Sequence, residues 1–147
     1  MYLRQVAEAA VPMVAVRGGV PKGEGETVLV VENQEAVLQV MSAMLERLDY
    51  RVLTASEGTR ALTVFNAHAD EVALVLTDRV MPEMGGVELA TVLKQQNPDL
   101  PIVMITGYES RRDQQAGLPV DIEEYLTKPV ELTKMAQTVK RVLQKEQ

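Results

Sequence analysis

Short, wholly apolar runs alternate along this chain with stretches in which apolar residues recur every three or four positions. The run Val28-Leu-Val-Val31 is rich in β-branched residues and bounded by polar ones, the pattern of a strand buried on both faces. After it Val37, Val40, Met41, Met44, Leu45 and Leu48 fall on one stripe of an amphipathic helix. The same alternation continues. Residues 51–55 predict a second strand, and 57–66 a helix with Ala61, Leu62 and Phe65 inward. Residues 72–77 predict a third strand, Gly85-Gly86 a turn, and 87–96 a helix stopped by Asn97-Pro98. Residues 101–105 predict a fourth strand, 109–116 a short polar helix ended by Gly117-Leu-Pro119, and 122–126 a fifth strand. Leu132, Met135, Val139, Val142 and Leu143 mark a last helix. Five strands alternating with five helices imply parallel crossovers and a three-layer α/β sandwich. No internal repeat is evident.

Composition narrows the class. At 147 residues the chain suits one domain. Hydrophobic residues make up 46% but aromatics only 3%, so the core must be aliphatic. The net charge of -6 and pI near 4.9 argue against nucleic-acid binding, which needs concentrated basic charge. The absence of cysteine excludes disulfides, thiol catalysis and thiolate metal sites, and fits a reducing cytoplasm. The apolar stretch 6–16 carries Glu8 and Pro12 and is far shorter than the roughly 20 residues that span a bilayer. Glu8 also spoils it as a secretion signal. Residues 17–25 are rich in Gly and Pro and read as a linker.

The candidate chemistry lies where strands end, because ligands of open α/β sheets bind outside the carboxyl ends of the strands. Glu32 and Asn33 follow the first strand, Asp78 the third, Thr106 the fourth and Lys128 the fifth. An acid, an amide, a central Asp, a hydroxyl and an amine suit metal-assisted phosphoryl transfer. The single histidine, His68, lies in the loop after the second helix, without the acid-flanked helical setting of a phosphodonor. The glycines between 18 and 25 precede no helix and no Gly-Lys-Ser/Thr, so a P-loop is absent and ATP is not the expected direct substrate.

Four segments carry a resemblance: Val28-Leu-Val-Val-Glu-Asn33, Leu76-Thr-Asp-Arg-Val-Met-Pro-Glu-Met-Gly-Gly86, Ile102-Val-Met-Ile-Thr-Gly107 and Tyr125-Leu-Thr-Lys-Pro129. In order and separation they resemble the receiver domain of bacterial response regulators, over residues 26–147. The resemblance implies a flavodoxin-like (βα)5 three-layer sandwich with a parallel sheet of order 2-1-3-4-5, which brings Glu32 and Asn33 beside Asp78. It implies Asp78 as phosphoacceptor. Glu32, Asn33, Asp78 and the backbone carbonyl of Val80 would hold Mg²⁺ or Mn²⁺, while Lys128 and Thr106 serve the phosphoryl oxygens. Thr106 and Tyr125 would act as the switch pair. A cis bond before Pro129 is also implied.

The donor would be a phosphohistidine on a histidine kinase or histidine phosphotransfer domain, docked over the first helix and the loops around the site. The receiver would catalyse its own phosphorylation and aspartyl-phosphate hydrolysis. No further cofactor, no nucleic acid and no membrane contact are expected, and a homodimer is compatible.

Receivers usually carry Asp where this chain has Asn33, so a weakened metal site and a phosphorylation-independent interaction module form the alternative. A flavodoxin-like cofactor enzyme shares the topology but lacks its stacking aromatics and phosphate-cradling loop here. Arg79 is compatible with steering an anionic donor or with simple solvation. The polar segment 110–119 departs from the family's fourth helix and its output face. Tyr2-Leu-Arg-Gln-Val resembles the last strand of a kinase ATP-binding domain, so residues 1–25 read as a linker or leader, with a hybrid histidine kinase as the expected parent. No effector segment follows the last helix, so output is expected through binding or from such a parent.

Overall fold

The structure is a computed structural model that describes residues 20–107 and 121–145. Its elements are β1 (Thr27–Val31), α1 (Glu35–Arg47), β2 (Arg51–Ala55), α2 (Gly58–Ala67), β3 (Val72–Asp78), α3 (Gly86–Gln96), β4 (Ile102–Thr106), β5 (Glu124–Thr127) and α4 (Leu132–Lys145). The strands form one parallel sheet of order β2-β1-β3-β4-β5, the flavodoxin-like arrangement expected. The short helix predicted over 109–116 lies outside the described residues.

Burial explains why the central strands read as unbroken apolar runs. Residues of β1 alternate between two cores. Val28 and Val30 join Leu74 and Leu76 under Leu38, Met41 and Leu45 of α1 and Met135 and Val139 of α4. Leu29 and Val31 join Val75 and Met104 under Phe65 of α2 and Leu89 and Leu93 of α3. Both faces of the sheet are therefore covered, as parallel sheets require.

One sequence expectation is corrected on α1. Val40, assigned to the inward stripe, is 54% exposed, while Leu38 is buried. The two are about 200° apart around the helix axis, so they cannot share a face. Leu38, Met41 and Leu45 form the inward row and continue to Leu48 beyond the helix.

Within the predicted linker, residues 20–25 pack against the domain. Val20 rests on the α1/α4 core. Gly23 N–H donates to the Leu48 carbonyl (2.7 Å) and Gly25 N–H to that of Asp49 (2.8 Å), while Lys140 Nζ reaches the Lys22 carbonyl (2.9 Å). The Tyr50 ring fills the space a side chain at Gly23 would need. Burial first, and then the Glu26 carboxylate, push the Tyr50 phenol up to about 12. This strap crosses the pole of the sandwich opposite the carboxyl ends of the strands.

The β3–α3 connection fixes the central aspartate. Gly86 N–H donates to the Arg79 carbonyl (2.8 Å), and Glu88 accepts from Gly85 N–H (3.1 Å), closing the first turn of α3. A Cβ on Gly86 would collide with the Asp78 carbonyl oxygen and come within 2.9 Å of the Arg79 Cα, backbone atoms that cannot swing away. Gly86→Ala should therefore destabilise the fold by about 1–3 kcal/mol despite the better helix propensity of alanine. Denaturant midpoints at constant slope check this, and an unchanged midpoint would show that the turn has slack.

Candidate functional site

The parallel register brings the strand ends level. Val31 pairs with Ala55 and with Thr77, and Asp78 with Ile105. Glu32, Asp78 and Lys128 then meet at one edge, although they lie far apart in sequence. Lys128 Nζ is 3.1 Å from Asp78 Oδ2 and 3.4 Å from Glu32 Oε1. The crevice around them, about 560 Å³, is lined by Asn33, Gln34, Val80, Met81, Pro82 and Gly107 together with Asp78 and Lys128.

The two carboxylates are held differently. Glu32 is fully buried, and its Oε2 accepts the Gln34 N–H at 3.0 Å. Its Oε1 has the Lys128 ammonium nearby but no hydrogen-bond partner. Burial raises the Glu32 pKa and the Asp78 charge adds to the rise, against the Gln34 N–H and Lys128. Asp78 is 5% exposed, with its Oδ1 3.4 Å from the Val80 N–H. Burial alone would lower the Lys128 pKa, but hydrogen bonding and attraction from Asp78, with Glu32 behind it, raise it overall. The ammonium thus stays charged at neutral pH.

Other predicted positions fall around this triad. Thr106 ends β4, 1% exposed, and its carbonyl accepts the Lys128 N–H at 3.0 Å. The strand carrying Thr106 is thereby tied to the residue carrying the amine. The Lys128–Pro129 bond is cis. Tyr125 pairs in register with Met104 and packs against the α2/α3 core. Burial raises its phenol pKa and the Arg79 charge opposes the rise. Arg79 is therefore electrostatically coupled to the neighbouring sheet edge. Val80 is 72% exposed, so its side chain contributes little packing. His68 caps α2 and lies 3.5 Å from Glu71, before β3 begins and so at the pole away from Asp78.

Sequence reasoning missed two contributors. Gln34 supplies the amide that orients Glu32, and Gly86 supplies the space behind Asp78. The Gly85-Gly86 pair was legible only as a turn. Among the described residues no three His, Cys, Asp or Glu side chains cluster as a metal site. The crevice edge instead offers the carboxylates of Glu32 and Asp78 and the amide side chain of Asn33. Such oxygens suit a small hard cation, and the unpartnered Glu32 Oε1 is a lone pair still to be satisfied.

Comparison with known proteins agrees with this arrangement. The response regulator receiver domain profile matches residues 28–140, and the chain belongs to that family of two-component signalling. It is 32% identical over 118 residues to the alkaline phosphatase synthesis transcriptional regulatory protein PhoP of Bacillus subtilis, covering 80% of this chain and 48% of that one. It is 36% identical over 121 residues to the sensor kinase CckA of Brucella abortus, covering 82% of this chain but 13% of the kinase. The chain thus spans about half or less of these relatives. Among solved structures, a response regulator receiver domain protein from Clostridium thermocellum superposes with a TM-score of 0.77 at 25% identity, covering 82% of this chain and 96% of that one. Vibrio cholerae CheY4 gives 0.74 at 28% identity, covering 80% and 98%.

Replacing Lys128 by Met leaves two carboxylates facing each other without a cation. The variant should lose about 1–2 kcal/mol at pH 7, less than a fully buried pair would because Lys128 is 31% exposed. The deficit should shrink as pH falls through the raised Glu32 titration range, since protonation removes the repulsion. In the parent protein, the stabilisation from Lys128 is present below its unfolded value and is lost as pH rises through its raised folded value. Denaturation midpoints from about pH 4 to about pH 8 test the first claim. A deficit independent of pH would refute it.

Proposed function

We propose that this receiver takes a phosphoryl group onto Asp78 from a phosphohistidine carried by a histidine kinase or histidine phosphotransfer domain. An Asp78 carboxylate oxygen forms a bond to phosphorus as the phosphorus–nitrogen bond breaks, and the imidazole leaves. Water later attacks the aspartyl phosphate, releasing inorganic phosphate and restoring the carboxylate. The observation that carries this reading is the convergence of Lys128 Nζ on Asp78 and Glu32 at 3.1 and 3.4 Å. A carboxylate is a weak nucleophile, and needs its acceptor held in line with the negative oxygens neutralised.

The roles follow from the chemistry of each group. Lys128 offers a compact positive charge to a phosphoryl oxygen. Thr106 offers a hydroxyl donor from the adjoining strand end. Glu32, Asn33, Asp78 and the Val80 carbonyl would hold Mg²⁺ or Mn²⁺, which supplies positive charge to neutralise the phosphoryl oxygens. Thr106 and Tyr125, on neighbouring strands, would carry the change of state away from the site by biasing a two-state element. The donor's helices would dock on α1 beside the crevice, where an apolar groove of about 530 Å³ adjoins Lys128 and Pro129. A hybrid-kinase parent remains part of this proposal, supported by the likeness to a receiver-sized share of a sensor kinase.

Asn33 favours a second reading, a receiver-like module that works by binding alone. It replaces a charged metal ligand with a neutral amide, and a unit charge near an ion counts for roughly 4 kcal/mol at about 4 Å before desolvation offsets it. A net loss of about 1–3 kcal/mol corresponds to roughly 5- to 150-fold weaker metal binding.

Two measurements test the readings. With acetyl phosphate and saturating Mg²⁺, intact mass should rise by one phosphoryl group, and Asp78→Asn should abolish the gain; no gain at saturating metal favours the binding module. Titration of Asn33→Asp should show Mg²⁺ affinity improved within the range above. Equal affinities would mean that the amide costs nothing.

A further inference from the structure

Arg79 stands between Asp78 and Val80, both of which line the crevice, but does not line it itself. Asp78 is buried, Val80 is exposed, and Arg79 between them is half-buried. Its backbone is fixed on both sides. The N–H donates to the Ile105 carbonyl and the carbonyl accepts from Gly86 N–H, each at 2.8 Å. Among the described residues its guanidinium forms no ion pair with a carboxylate.

The sheet register shows where that cation lies. Thr77 pairs with Met104 and Asp78 with Ile105, so Arg79 comes level with Thr106. On the other side of β4, Met104 pairs with Tyr125 and Thr106 with Thr127. Val75, Met104 and Tyr125 all belong to the α2/α3 side of the sheet. Side chains alternate along a strand, and Arg79 is four residues beyond Val75, so it takes the same side. Two strand spacings and two residues separate it from Tyr125, about 10 Å across and about 7 Å along. An extended arginine and a tyrosine turned toward each other span that gap past Thr106. The electrostatics agree: burial raises the Tyr125 phenol pKa, and the Arg79 charge acts against the rise.

We propose that Arg79 is a positioning residue for Tyr125, its guanidinium holding the phenol on the α2/α3 side of the sheet edge. Steering an anionic donor would instead need this cation in the crevice, where the lining cation is Lys128. The guanidinium is carried by the residue next to Asp78, so negative charge arriving there attracts it. On the reading that Asp78 accepts a phosphoryl group, on which this consequence rests, the modification draws Arg79 toward the crevice and releases Tyr125. The ring is then biased by the charge state of the crevice through a single side chain.

Flavin-sensitised nuclear polarisation of tyrosine ring protons reads the exposure of each phenol, and Tyr125→Phe assigns the Tyr125 signal. Tyr50, 4% exposed, is the buried reference. In the unphosphorylated protein Arg79→Met should increase the Tyr125 polarisation, and Arg79→Lys should restore it toward the parent. The phenol titration gives the sign. A ring that stayed in place without the cation would titrate higher, because the charge that lowers its pKa is gone, whereas a ring released from burial should titrate lower, toward its ordinary value. Unchanged polarisation, or a titration that moves up, would overturn the proposal and leave Arg79 a neighbouring charge. Equal gains in Arg79→Met and Arg79→Lys would overturn it too, since shape rather than charge would then be responsible. None of these readings requires phosphorylation, so they stand or fall apart from Asp78. For the consequence, acetyl phosphate with Mg²⁺ should raise the Tyr125 polarisation of the parent and change that of Arg79→Met little. Equal gains in both would overturn release through Arg79. Absence of any phosphoryl mass gain would count against Asp78 and leave the positioning result standing.

Discussion

One ammonium facing two carboxylates at the end of a parallel sheet is the constraint around which this domain is arranged. Glu32 is fully buried and Asp78 nearly so, and two such charges a few ångströms apart repel each other unless a cation lies between them. Lys128 supplies that cation on the longest flexible stem available, from a strand two places away from Asp78 in the sheet. The pairing leaves Glu32 Oε1 without a hydrogen bond, so the triad is incompletely satisfied. An incomplete polar network is costly to the fold, and it is also a site with capacity to accept more positive charge or to exchange Lys128 contacts for those of a ligand. Stability and receptivity therefore come from the same three side chains.

The backbone around the triad is correspondingly rigid. Gly86 lets the first turn of α3 press against the Asp78 carbonyl, and the Arg79 carbonyl is tied to that turn. The Arg79 N–H donates to Ile105 at 2.8 Å and the Lys128 N–H to Thr106 at 3.0 Å, so β3, β4 and β5 remain bonded beyond the last residues of their ladders. A shift at Asp78 or Lys128 must then be felt by β4. Bonded strand ends move together because each broken hydrogen bond would leave a buried polar group unpaired.

Much of this was legible in the sequence, for identifiable reasons. Wholly apolar runs fix strands buried on both faces, and the spacing of Met41, Leu45 and Leu48 fixes the buried row of α1. Glu32, Asp78 and Lys128, which meet at the sheet edge, could be singled out because each ends or follows such a run. Strand order could not be read from periodicity and came only with the family resemblance. Val40 was misplaced because valine counts as apolar wherever it falls, and only the angular position about the axis separates it from Leu38. The packed strap escaped notice because Gly and Pro suggest a linker. Here Gly23 is required by the Tyr50 ring, and Gly25 adopts φ +88, where glycine is at ease. The roles of Gln34 and Gly86 depend on backbone contacts that side-chain identity does not encode.

The exposed Val40 and the packed strap have a common explanation in the α1/α4 seam. One end of that seam is closed by Val20, Tyr50 and the Lys140–Lys22 hydrogen bond, whereas the other opens as a groove beside Lys128. A free apolar wall costs solvation, and it is retained where something must bind it.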